Sequence, residues 1–197
     1  DLTGGGEADA SIGSLIFDAW VAYDLTKRIK LTFGQKATPT DNRELGMRSN
    51  TLQLVDRSPL TSAFASIREF GIFAESTHKI SRYAYIKPEI AITNGDGINV
   101  FNKDYGGLKY GGRIDYLPFG LFNNFGQYRQ ADLVRELTPK FALGVNYSYN
   151  EGISDRRGSQ SGQILYLDGN NKELLPDYVK YGIDFLFKYK GYSVLGE

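Results

Sequence analysis

Residues 141–150 read FALGVNYSYN and residues 180–189 read KYGIDFLFKY. In the first, Phe141, Leu143, Val145, Tyr147 and Tyr149 share one parity against Ala142, Gly144, Asn146, Ser148 and Asn150. In the second, Tyr181, Ile183, Phe185, Phe187 and Tyr189 alternate with Lys180, Gly182, Asp184, Leu186 and Lys188. A period of two puts every second side chain on the same face of a strand, so these are strands with one apolar and one polar face. Apolar runs such as 19-AWVA-22 fall far short of the roughly 20 residues of a helical membrane span. The open question is whether the apolar face meets a protein core or lipid.

The same alternation recurs along the chain. Residues 15–24 place Leu15, Phe17, Ala19, Val21 and Tyr23 on one face, with Trp20 breaking the polar face. A reversal through Thr26, Lys27 and Arg28 leads into 29-IKLTFG-34, which predicts a hairpin. Strand pattern returns at 67–76, reverses near His78 and Lys79, and resumes at 83–93, where Pro88 implies a bulge or irregular pairing. After the turn 94-NGDG-97 come strands around 108–120 and 141–150, a weaker one near 163–168, and the closing strand. Residues 127–137 read either as an irregular strand or as a short helix. Residues 35–66 do not alternate and are not low-complexity, so they predict an ordered functional loop. Short reversals at Thr26–Arg28 and Lys190–Gly191, against long connections at 35–66 and 150–162, match the habit of outer-membrane barrels.

Strand length helps to choose between lipid and core. From Tyr181 to Tyr189 is eight residue steps. At ~3.3 Å per residue this is roughly 26 Å along the strand, or ~20 Å along a barrel axis after tilting. The apolar band of an outer-membrane barrel is about 25 Å tall with aromatic girdles at both edges. Tyr149, Tyr181 and Tyr189 are the girdle candidates. A soluble antiparallel barrel or sandwich explains the alternation equally well.

Several function classes drop out. Lys plus Arg and Asp plus Glu both number 23, which gives no electrostatic footprint for nucleic acid. There is no cysteine, hence no disulfide, thiol catalysis or thiolate metal site. The single histidine, His78, sits in a reversal with no ligand-spaced partners, and the carboxylates are scattered, so neither a catalytic nor a metal centre is expected. Asn94, Asp96 and Asp104 do not match a calcium loop. No cofactor is implied.

Residues 33–75 carry Gly34-Gln35, Lys36, Pro39, 56-DRS-58 and 68-REFG-71 in an order that resembles the phosphate-selective porin O/P family of Gram-negative outer membranes. Segments 94-NGDG-97, 111-GGRIDYLPFG-120 and 184-DFLFKYKGYSVLGE-197 are similar to family segments as well. The stretch 36-KATPT-40 departs from the family's Lys-x-Pro-Phe-Ser form: it lacks the aromatic and has one more residue before the proline. The resemblance implies an all-β fold, an antiparallel transmembrane β-barrel of about sixteen strands, and a homotrimer. With about eight to ten strands here, residues 1–197 would form one barrel domain incomplete at both ends. The implied function is passive diffusion of small polar or anionic solutes, phosphate among them, through a water-filled barrel in the lipid bilayer.

In that reading the selective residues are charges lining a constriction. Lys36, Arg43, Arg48 and Arg57 lie in the 35–66 loop, which the resemblance places inside the barrel. Lys180, Lys188 and Lys190 face the lumen if Phe185 faces lipid, and Lys30 and Lys109 are weaker candidates. Against this stands a loop that is salt-bridged to the wall and selects nothing; Asp56 beside Arg57 favours it. Arg68, on Phe70's parity, reads as a structural residue at a rim. Two competing functions remain: a non-conducting barrel in an envelope assembly, with Trp20 and 127–137 on protein contacts, and a soluble β-barrel that binds small apolar ligands.

Overall fold

The computed structural model describes residues 17–53, 56–64, 68–99, 106–153, 167–171 and 174–197. Nine strands run in chain order: β1 (Ala19–Asp24), β2 (Ile29–Ala37), β3 (Arg68–Ser76), β4 (His78–Lys79), β5 (Tyr85–Thr93), β6 (Lys109–Leu117), β7 (Lys140–Asn150), β8 (Tyr178–Tyr189) and β9 (Tyr192–Gly196). They form one all-antiparallel sheet in the order β1-β2-β3-β5-β6-β7-β8-β9, with the two-residue β4 pairing β5 beside β3. Among the described residues the sheet is open, with β1 and β9 as its edges. The weak strand expected at 163–168 lies outside the described residues except for Leu167 and Asp168.

Pro88 sits where its missing N–H costs least. β3 pairs β5 only as far as Glu75 with Glu89, and β4 takes over at His78 with Ile86. Pro88 falls in the gap between them, the irregularity its sequence implied.

The sheet's two faces are inverted relative to a soluble protein. One face carries Phe33, Ile72, Ile90, Ile114, Val145 and Ile183 across β2 to β8, all exposed. The other is covered by two connections and buries charge. Among the described residues, nine apolar residues are buried against twenty-three polar or charged ones. The small apolar core of Met47, Leu117, Phe122, Ala142 and Leu186 lies where those connections cross the covered face.

Connections 38–67, 94–108 and 151–177 leave one end of the sheet. The other end carries the turn 25–28, the segment around β4 and the turn 190–191, but also the connection 118–139. The expected division into long loops and short turns therefore fails at 118–139. Residues 127–137 are neither strand nor regular helix: a 3-10 segment over Asn123–Tyr128 is followed by irregular backbone. Side chains hold it in place. Glu136 accepts from Asn123 N at 2.7 Å and from Asn123 Nδ2 at 2.6 Å, while Asp132 accepts from Gly191 N at 2.8 Å. The 35–66 loop is ordered where described, with short 3-10 turns at Arg43–Gly46 and Ser49–Thr51 and a helix α1 at Pro59–Phe64.

Candidate functional site

The loop after β2 lies in a trough on the covered face, made by small residues on neighbouring strands. Gly111 pairs Ser148, and Asp115 pairs Gly144, which in turn pairs Asp184. A Cβ on Gly111 would stand 2.4 Å from Thr40 Oγ1 of the loop. A Cβ on Gly144 would stand 2.0 Å from an Arg113 guanidinium nitrogen and 2.7 Å from both Asp115 and Asp184. These two glycines leave the volume that the loop and its ion pairs fill.

Two charge clusters lie in this trough. In the first, Arg43 of the loop donates Nε to Asp184 at 2.6 Å and Nη2 to Asp115 at 2.9 Å. Arg113 of β6 donates to the same carboxylates, at 2.7 Å to Asp184 and 2.8 Å to Asp115. In the second, Lys109 contacts Asp41 and Glu69 at 2.9 Å each, and Lys180 contacts Asp41 at 2.5 Å. Thr93 adds a hydroxyl to Glu69 at 2.6 Å.

The wall and the loop are complementary in charge. Arg113, Asp115 and Asp184 sum to one negative charge, which Arg43 neutralises. Lys109, Lys180 and Glu69 sum to one positive charge, which Asp41 neutralises. The two loop residues are two positions apart, and Lys109 and Arg113 are four apart on β6, roughly 13 Å along the strand. Burial alone would push the Asp41 carboxyl up; the two lysine ammoniums outweigh it and hold the group below the usual carboxylate range.

A third set of contacts joins the two connections to each other. Glu44 accepts from Gln130 Nε2 at 2.7 Å, from Thr61 Oγ1 at 2.7 Å and from Ser58 N at 2.9 Å. Gln130 N donates to Thr51 O at 3.0 Å. Segments entering from opposite ends of the sheet thus meet over its covered face. Two cavities remain beside them. One of about 350 Å³ is lined by Asp41, Asn146, Tyr178, Lys180 and Asp184. One of about 490 Å³ is lined by Glu44, Ser58, Gln130, Leu195 and Glu197. In the second, burial and then the nearby Glu44 and Asp184 charges push the Glu197 carboxyl up.

The candidates read from sequence separate into distinct roles. Arg43 and Lys180 are in the two clusters, and Lys109 with them. Lys188 is buried and donates to the carbonyls of Gly126 and Ala131 at 2.9 and 2.8 Å, so it anchors the 118–139 connection. Arg57 is half-buried and bonds the carbonyls of Glu44 and Met47, an internal brace of the loop. Arg48 is exposed and outside the clusters. Lys36 lies over the Phe73 ring, 5.0 Å from its centroid. Lys30 is paired with Glu75. Lys190 does not share the covered face of Lys188: it stands in the β8–β9 turn, exposed, over the Tyr189 ring. Arg68 is held by Asp18 at 3.2 Å, matching its reading as a rim residue. His78 contacts Ser76 Oγ at 3.1 Å.

Tyr149 and Tyr181 stand on the uncovered face near the loop end, with Tyr147 and Tyr110 as pairing neighbours, and Tyr189 stands on that face at the other end. Tyr149 donates its hydroxyl to Asp177 at 2.6 Å. Sequence reading missed Arg113, Asp115, Glu69 and the bridging Gln130. Their polar parity was visible, but their partners were not. No protein-family model, curated protein or solved structure gives a significant match to this chain.

Proposed function

We propose that the chain builds part of the wall of an outer-membrane β-barrel channel, with residues 38–64 as a loop packed inside it, and that the channel passes small polar and anionic solutes by diffusion. The observation that carries this reading is the inversion of the sheet: an exposed apolar face on every long strand and a buried, charged opposite face. Water penalises such a face, whereas lipid solvates it. Tyrosines near both ends of the uncovered face, with aliphatic side chains between, fit the two interfaces of a bilayer. Lipid also forbids unpaired edges, so the reading requires β1 and β9 to pair with further strands in a closed barrel. The resemblance to the phosphate-selective porin O/P family points the same way.

The two loop charges that reach the wall do not select solutes in this reading. Asp41 and Arg43 are neutralised by the wall, so the cations left to bias passage are those outside the clusters, Lys36 and Arg48 foremost. A non-conducting barrel in an envelope assembly is the second reading, favoured by the meeting of the two connections at Glu44 and Gln130.

Single-channel recording of the full-length protein in a planar bilayer tests both. Discrete steps, with a reversal potential biased toward the anion in a potassium chloride gradient, are expected. Folded and inserted protein that gives no steps overturns the channel and leaves the structural barrel.

A further inference from the structure

The sheet end that carries the turns is ringed by unpaired cations. Lys27 and Arg28 lie in the β1–β2 turn, Lys79 and Arg82 around β4, Arg135 in the 118–139 connection and Lys190 in the β8–β9 turn; all six are exposed. None forms an ion pair with another described residue. The acidic groups near them do not offset this charge. Asp132 and Glu136 are buried and spent on backbone and side-chain N–H groups, and Asp24 is the exposed exception. A chain whose charges balance over its whole length therefore concentrates exposed positive charge at one rim.

The cations are interleaved with apolar groups. Arg82 lies 5.2 Å from the Tyr83 ring centroid and Lys190 5.1 Å from that of Tyr189. Phe119, Leu133 and Leu137 are exposed in the 118–139 connection at the same end. The backbone does not ask for these cations. Arg135 (φ 56°) and Lys190 (φ 50°) occupy the left-handed region, where asparagine or glycine is the less strained choice. Basic groups beside exposed apolar side chains at one end of the sheet match the headgroup layer of a bilayer that contains anionic phospholipid.

We propose that this rim is a binding collar for anionic phospholipid headgroups, which fixes the depth and orientation of the sheet in the membrane. The proposal rests on the membrane reading above. Each lysine or arginine held at an anionic surface raises association about five-fold, so a collar of six gives a clear preference among lipids.

The test is spin-label lipid selectivity with the full-length protein reconstituted in phosphatidylcholine vesicles. Spin-labelled phosphatidylglycerol is compared with spin-labelled phosphatidylcholine. The expected result is an association ratio of roughly three to five in favour of phosphatidylglycerol, collapsing toward one near 1 M salt, where the Debye length is ~3 Å. The variant K27Q/R28Q/K79Q/R82Q/R135N/K190N, with asparagine at the two left-handed positions, is expected to bring the ratio to about one at low salt. Immobilised lipid without a phosphatidylglycerol preference, or a preference the variant keeps, overturns the collar and leaves the membrane reading standing. No immobilised lipid overturns the membrane reading itself. A preference abolished by millimolar inorganic phosphate at constant ionic strength overturns the lipid assignment in favour of a soluble-anion site.

Discussion

Gly144 carries its role through the side chain it lacks. The hydrogen of its α-carbon leaves room for Arg113, Asp115 and Asp184 to converge, and Arg43 enters the same space from the loop. A methyl group there meets ions already in contact, and the far ends of neighbouring side chains can yield only by breaking their pairs. Gly144→Ala is expected to cost about 1–3 kcal/mol. Gly112, two positions before Ile114 on the opposite face, has nothing within 4 Å of an added Cβ, so Gly112→Ala is expected to be neutral or slightly stabilising. Urea denaturation of the two variants, folded in the same detergent, checks the contrast; equal midpoints would sink the packing account. Arg43→Ala leaves two buried carboxylates to share Arg113 and is expected to cost about 3 kcal/mol. Under the channel reading it also frees the loop, so conductance should rise rather than fall.

At the scale of elements, alternation was enough to read the faces of β7 and β8, because a period of two needs no knowledge of what a strand touches. The loop's existence was legible as well: residues 35–66 break the alternation without becoming low-complexity. What holds the loop was not legible, because Asp41 meets Lys180 and Arg43 meets Asp184 across 139 and 141 positions of sequence. Pairing at that distance is a product of strand register, and one sequence does not print register. The 118–139 connection was hidden for a related reason. Its buried acids bond backbone groups, which leaves no periodic trace. The loop's attachment makes a pH prediction. Asp41 titrates below its unfolded value of ~3.9, so its contribution to docking is complete above that pH and disappears as pH falls through the depressed value. Proteolysis within residues 38–64 should therefore be unchanged from pH 7 to about pH 5 and accelerate only below about pH 4. In Asp41→Asn, which leaves Lys109 and Lys180 a neutral partner, cleavage is expected to be fast at neutral pH and to lose that acid dependence.

The described sheet is organised around one contrast, a covered polar face and an exposed apolar one, and the contrast makes opposite forecasts in water and in lipid. Ile114 lies on the uncovered face, 50% exposed, with Pro88 and Val145 as pairing neighbours and Ile183 one strand beyond. If that face meets water, Ile114→Lys removes an exposed apolar group and costs nothing, and solubility improves. If it meets the middle of a bilayer, the same ammonium must be buried in hydrocarbon or snorkel to an interface, at about 2–4 kcal/mol. The membrane reading predicts the cost. Reversible unfolding of the full-length protein from phospholipid vesicles, wild type against Ile114→Lys, measures it directly. Tyr181→Lys supplies the internal control, because a residue 85% exposed at the girdle position should cost no more than about 1 kcal/mol near the interface. A depth-dependent penalty, large at Ile114 and small at Tyr181, would be a signature of lipid that no aqueous environment reproduces, and equal small effects at both positions would return the sheet to water.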